Sequence, residues 1–165
     1  MKSTPPESHP WLNTVQEFLF FEADLADNHQ FKDWQALWTK DLLYWVPCHD
    51  EGVDPTHQVS IIYDDRSRLE ERLFRLQTKQ AHSQNPRSRL SRSVTNIRIE
   101  SGDRETGFKV TSRIHVVESR LERVTHWAGR QTHRLVWEES VFHMSEKKIV
   151  LVNNDSLLGN LTFII

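Results

Sequence analysis

The run Phe108-Lys109-Val110-Thr111-Ser112-Arg113-Ile114-His115-Val116-Val117 decides how the chain is read. It is rich in Val, Ile and Thr, whose branched side chains suit a pleated surface, and it reads as a strand. Runs of the same character lie on both sides. Val94 to Ile99 precedes it, with Gly102 in a tight turn between the two. Leu121 to Trp127, Gln131 to Trp137 and Lys148 to Asn153 follow, and Leu161 to Ile165 is a candidate last strand. The second half of the chain therefore predicts an antiparallel meander.

Upstream of about Leu90 the character is helical. Trp11, Val15, Phe18, Leu19, Leu25 and Ala26 recur at helical spacing, with Pro10 in the first turn and Ser8 or His9 near the cap. Phe18-Leu19-Phe20-Phe21 widens the apolar face, so the helix is expected to be covered on more than one side. Asn28 ends it. A short helix then carries Phe31, Trp34, Leu37 and Trp38, with Asp33 beside that face, and Thr39-Lys40-Asp41 closes it. Leu42 to Val46 reads as a short strand stopped by Pro47. Cys48 to Ser60 reads as a long loop, and Val59 to Tyr63 is too brief to classify. Asp64 or Asp65 caps a further helix bearing Leu69, Leu73 and Leu76 on one face and Arg68, Arg72 and Arg75 on another. Helices first and a meander after predict an α+β domain, its helices packed on one face of a curved sheet. Residues 1–9 form a polar, Pro-rich arm, and residues 10–165 one domain.

Composition narrows the function. With 165 residues, 37% hydrophobic, six Trp and eight Phe, the chain can bury a substantial core. A net charge of -2 gives no argument for nucleic acid or an anionic membrane. One cysteine excludes an internal disulfide framework and a thiolate-built cluster. Met1 to Pro10 lacks the apolar run of a signal peptide, and no stretch approaches the roughly 20 apolar residues of a membrane helix. A soluble, cytoplasmic protein is the expectation.

Phosphate-binding glycine loops, C-x-x-C, H-E-x-x-H and G-x-S-x-G are all absent from the sequence. Nine histidines invite a metal, but His115 and Glu118, three apart on a strand, point to opposite faces, and no ligand triad assembles. Cys48 and His49 are adjacent in an extended segment and point apart. Asp33 with Tyr44 could serve as an acid–base pair inside a cone-like sheet. That would suit a stand-alone isomerase, dehydratase or cyclase. Arg87, Arg89, Arg92 and Arg98 suit partner contacts or internal ion pairs better than nucleic acid. The dense charges from Asp64 to Arg72 fit either a solvated helix face or an interface helix.

One family shares an ordered series of these residues. Phe18-Leu19-x-x-Glu22-Ala23-x-Leu25, Trp34-x-x-Leu37-Trp38 and Asp41-x-x-Tyr44-Trp45-Val46-Pro47 resemble the small (beta) subunit of aromatic-ring-hydroxylating dioxygenases, the Rieske non-haem iron oxygenases. The resemblance continues through Ile62-Tyr63-Asp64-Asp65-Arg66, Leu69-Glu70-x-Arg72-x-x-Arg75-Leu76, Pro86-x-x-Arg89 and Ser93-Val94-Thr95-Asn96-Ile97. Ala128-Gly129-Arg130-Gln131 and the tail Lys148-Ile149-Val150-Leu151-Val152-Asn153-Asn154-Asp155 extend it over nearly the whole chain.

The resemblance implies an NTF2-like (SnoaL-like) cone, its N-terminal helices on a strongly curved mixed or antiparallel sheet. It implies a non-catalytic small subunit with no cofactor or metal of its own. The large (alpha) subunit would carry a Rieske [2Fe-2S] cluster and a mononuclear Fe(II), in an alpha3beta3 ring. A reductase, with or without a ferredoxin, would bring electrons from NAD(P)H. The assembled enzyme would add both atoms of O2 to an aromatic compound, with a benzoate-type acid suggested by the stretch from Tyr44 to Leu76. Trp45, Tyr63, Arg66, Arg68, Arg72, Arg75, Arg87, Arg89 and Arg92 are the candidates for the subunit interface.

Overall fold

The computed structural model describes residues 9–48, 59–78, 85–154 and 161–165. Helix α1 (Leu12–Asp27) and the short α2 (Phe31–Ala36) lead into strand β1 (Trp38–Pro47). Strand β2 (Ser60–Asp64) and helix α3 (Arg66–Gln77) follow. Four long strands complete the chain: β3 (Arg89–Asp103), β4 (Gly107–Arg120), β5 (Arg123–Glu138) and β6 (Val141–Leu151). They form one six-stranded sheet in the order β2-β1-β6-β5-β4-β3. β1 runs parallel to β6, and every other pairing is antiparallel. The sheet is therefore mixed, and the helices cover one face, as the order of elements predicts.

Local chemistry explains the boundaries. Val15, Leu19, Glu22 and Ala26 are buried along one stripe of α1, at the spacing that stacks side chains on a helix. Asn28 closes the helix, its side-chain amide donating to the Asp24 carbonyl at 2.8 Å. Asp65, rather than Asp64, caps α3 by accepting from the Arg68 N–H at 2.9 Å. Leu69 and Leu73 of α3 are buried, and Leu76 packs against the same core.

Several expectations are corrected. α2 ends at Ala36, and Trp38 to Asp41 belong to β1 instead of closing the helix. Trp38 goes into the core from the strand, where the ring packs edge-on against Trp34 at 5.4 Å. Val59 to Tyr63 resolves into β2 from Ser60 onward. Leu121–Trp127 and Gln131–Trp137 are not separate strands. From Arg123 onward both are parts of β5, which pairs with β4 from Phe108↔Leu135 to Arg120↔Arg123. Gly129 lies within this strand because a Cβ there would stand 2.5 Å from the Val150 carbonyl oxygen. The real turns fall at Leu121-Glu122 and Glu139-Ser140, all four with positive φ. Leu161–Ile165 forms no strand; Phe163, Ile164 and Ile165 are buried in the core. Residues 1–8 of the expected arm and 49–58 of the expected loop lie outside the described residues.

Candidate functional site

The inner face of the sheet and the helices enclose a buried polar cluster. Glu22 of α1 and Lys147 of β6 meet in the core, Lys147 Nζ donating to Glu22 Oε1 at 2.7 Å. Trp34 Nε1 of α2 donates to the same oxygen at 2.6 Å. Burial alone would raise the Glu22 carboxyl, but the Lys147 ammonium, helped by Arg92, holds it below its ordinary value. Burial pulls the Lys147 ammonium down, against the pull of Glu22. His133 faces Lys147 across the β5–β6 ladder and is 1% exposed. Burial, with the nearby ammonium, pushes its imidazole down to about 3, so it is neutral.

The tail seals this cluster. Tyr44 of β1 is wholly buried, its hydroxyl donating to the Ile165 carbonyl at 2.8 Å and accepting from the Ile165 N–H at 3.0 Å. Burial pushes the Tyr44 phenol up, so it stays protonated. Arg92 donates from Nε to Asp27 Oδ1 at 2.6 Å and from a terminal nitrogen to the Ile164 carbonyl at 2.8 Å. Phe163 stacks edge-on against Trp127 at 5.7 Å. Tyr44→Phe removes both bonds to the tail while keeping the ring. It is expected to cost about 1–3 kcal/mol and to speed amide exchange at Ile165, read by denaturation and hydrogen exchange.

Asp33 and Tyr44 are not brought together as an acid–base pair. Asp33 is exposed on α2, beside His29, Gln30 and Lys32, whereas Tyr44 is engaged by the tail. A catalytic pair of these two is corrected on that ground: the Asp33 carboxylate is exposed to solvent, while the Tyr44 hydroxyl is buried and held by the Ile165 backbone.

The interface candidates divide into two groups. Trp45 and Tyr63 are half-buried on the outer face of the sheet, their rings edge-on at 6.2 Å, with Lys148 Nζ 4.2 Å over the Trp45 ring. Arg75, Arg87 and Arg89 are exposed, and so is Arg68, which reaches the Tyr63 carbonyl at 3.1 Å. The remaining arginines are engaged within the chain. Arg66 donates to the carbonyls of Trp38 and Thr39. Arg72 forms a two-pronged pair with Asp64, at 2.5 and 3.2 Å, which raises it above its usual value against the effect of burial. The Arg92 side chain is wholly covered.

Sequence reasoning passed over Glu22, Lys147 and His133 as a site. Glu22 carried a signal, since a carboxylate inside the stripe Val15, Leu19 and Ala26 must be paired if buried. Among the described residues no three His, Cys, Asp or Glu side chains converge to hold a metal ion. The lone Cys48 cannot furnish the two thiolates of a Rieske cluster, so that group does not fit this chain.

Comparison with known proteins matches this arrangement to a family. The model described as "Ring hydroxylating beta subunit" matches residues 21–156. The 2-halobenzoate 1,2-dioxygenase small subunit of Burkholderia cepacia is 30% identical over 146 residues, covering 85% of this chain and 87% of that protein. The small oxygenase component of the p-cumate 2,3-dioxygenase system of Pseudomonas putida is 34% identical over 139 residues, covering 83% and 77%. The crystal structure of the benzoate 1,2-dioxygenase beta subunit from Burkholderia mallei superposes with a TM-score of 0.75 at 26% identity, covering 99% of this chain and 100% of that one. With the fold and these matches in agreement, the chain belongs to the beta-subunit family of aromatic-ring-hydroxylating dioxygenases.

Proposed function

We propose that the chain is the structural small subunit of the terminal oxygenase of a multicomponent aromatic-ring dioxygenase. It docks on a large subunit that carries the Rieske [2Fe-2S] cluster and the mononuclear Fe(II), in an alpha3beta3 assembly. A reductase, with or without a ferredoxin, brings electrons from NAD(P)H. The large subunit performs the O2-dependent dihydroxylation, and the small subunit holds the assembly together in the cytoplasm. Relatives named for 2-halobenzoate and benzoate support a benzoate-type acid as substrate.

The observation that carries this reading is the match of residues 21–156 to the ring-hydroxylating beta-subunit family. The interior agrees with it: Trp34, Tyr44, Lys147 and Ile165 are fully buried, and the Tyr44 hydroxyl is taken up by the Ile165 backbone. The outside supports it too. The sequence predicts that α1 is covered on more than one side, yet Phe20 and Phe21 are 42% and 53% exposed, and Phe74 of α3 is 61% exposed. Large apolar groups in water suit a surface that a partner covers. Trp45, Tyr63, Arg68, Arg75, Arg87 and Arg89 are the interface candidates whose side chains remain reachable.

Co-expression with a Rieske large subunit tests the reading. The expected result is a coloured complex that contains iron and oxidises NAD(P)H only when an aromatic acid is present. The isolated chain is expected to be colourless and inactive. Turnover by the isolated chain, or stoichiometric iron bound to it, would contradict the proposal.

A further inference from the structure

The outer face of the sheet carries a concentration of positive charge that the chain neutralises only in part. Arg113 of β4 stands directly opposite Arg130 of β5, and Lys109 stands opposite Arg134. Arg98 of β3 lies opposite Thr111, next to these pairs. Like charges in directly opposed positions on one face destabilise a sheet. Arg134 is relieved by Glu146 at 3.2 Å. Arg98, Lys109, Arg113 and Arg130 have no ion pair among the described residues, and Glu100, the nearest acid in the group, accepts from Thr111 at 2.7 Å. The four cations line a groove of about 540 Å³ together with Thr111, Thr132, Asn96, Gln131 and the single acid Glu100, so four positive charges face one negative. All four are exposed, on a chain whose net charge is -2.

We infer that this groove between β3, β4 and β5 is a docking site for a carboxylate-bearing surface of the large subunit. The inference rests on the proposed function for the partner's identity, and on charge complementarity for its chemistry. Guanidinium groups grip carboxylates through paired N–H donors, so three arginines and a lysine around threonine hydroxyls fit Asp and Glu side chains. Nucleic acid fits less well, because no aromatic ring lines the groove to stack on a base. The opposed cations are then a feature that disfavours the free chain and favours the assembled one.

The two states give effects of opposite sign. In the co-expressed complex, Arg113→Ala/Arg130→Ala is expected to weaken capture of the large subunit by about tenfold or more, and to flatten its salt dependence. Arg113→Glu/Arg130→Glu should weaken it further. The isolated double-Ala variant should melt at the same temperature as the parent or higher, since a repulsion has been removed. Unchanged capture by both variants would overturn the inference, as would a lower melting temperature of the double-Ala chain. Loss confined to self-association would assign the groove to a second copy, and loss confined to DNA retention would assign it to nucleic acid; either result overturns it. If the parent chain captures no large subunit, the proposed function fails with it. If the parent captures and the variants do so equally, the groove assignment alone fails.

Discussion

Replacing Lys147 by Met is expected to lower the unfolding free energy of the isolated chain by about 3–5 kcal/mol, the cost typical of breaking one partner of a buried pair. Both side chains are dry: Lys147 is 0% and Glu22 2% exposed at the side chain. Attraction across 2.7 Å offsets the desolvation of each only while both are present. Methionine matches the length of the lysine stem, so little volume is lost and the effect reports the stranded carboxylate. The Trp34 N–H would still donate to Glu22, but one neutral donor does not balance an ionised group in the core. Adding Glu22→Gln to Lys147→Met should recover most of the loss, because the amide carries no charge and keeps an acceptor for Trp34. Urea denaturation of the three variants at neutral pH measures this. A single variant within about 1 kcal/mol of the parent would show that water reaches the pair.

The second large effect appears on acidification. His133 is neutral in the fold because burial pushes its imidazole down to about 3, from an ordinary value of 6.5. The unfolded chain takes up a proton at this residue below about pH 6.5, and the folded chain does not. Stability from this residue is therefore complete above that pH and is lost as the pH falls towards 3. The slope is about 1.4 kcal/mol per pH unit, so about 2 kcal/mol should be gone by about pH 5. Glu22, held below its ordinary value, adds its own loss only at lower pH, where the unfolded carboxylate begins to protonate. His133→Leu removes the titrating ring at similar volume and should flatten the upper part of the curve while leaving the lower part. Melting temperatures from pH 7 to pH 4 for parent and variant test this. Parallel curves would exclude His133 as the source.

Element types were largely legible, because the apolar residues of α1, α3 and the long strands recur at the periods those structures impose. Turns were less so. Leu121, Glu122, Glu139 and Ser140 adopt positive φ without the Gly or Asn that normally marks such turns. A break was expected near Gly129, where the glycine instead serves close strand packing. The site was hidden by changes of phase. In β6 the buried positions run Phe142, Met144 and then Lys147, Ile149 and Leu151, so a one-residue irregularity turns Lys147 inward. In β3 Asn96, with φ 53°, shifts the buried set from Val94 to Ile97 in the same way. Alternation counted from either end places Lys147 on one face or the other, and only the register of neighbouring strands decides. The docking of the tail was equally out of reach, since it depends on Tyr44 meeting Ile165 and Arg92 meeting Ile164 across long sequence separations.

The parallel ladder between β1 and β6 has a consequence for biogenesis. Tyr44 and Trp45 lie opposite Lys147 and Lys148, residues that leave the ribosome long after them. Until β6 arrives, the carboxylate of the first helix has no counter-ion and the first strand lacks one neighbour, so the nascent N-terminal half cannot close on itself. Closure awaits the last strand, and shortened translation products that stop before it would present open strand edges for other chains to pair with.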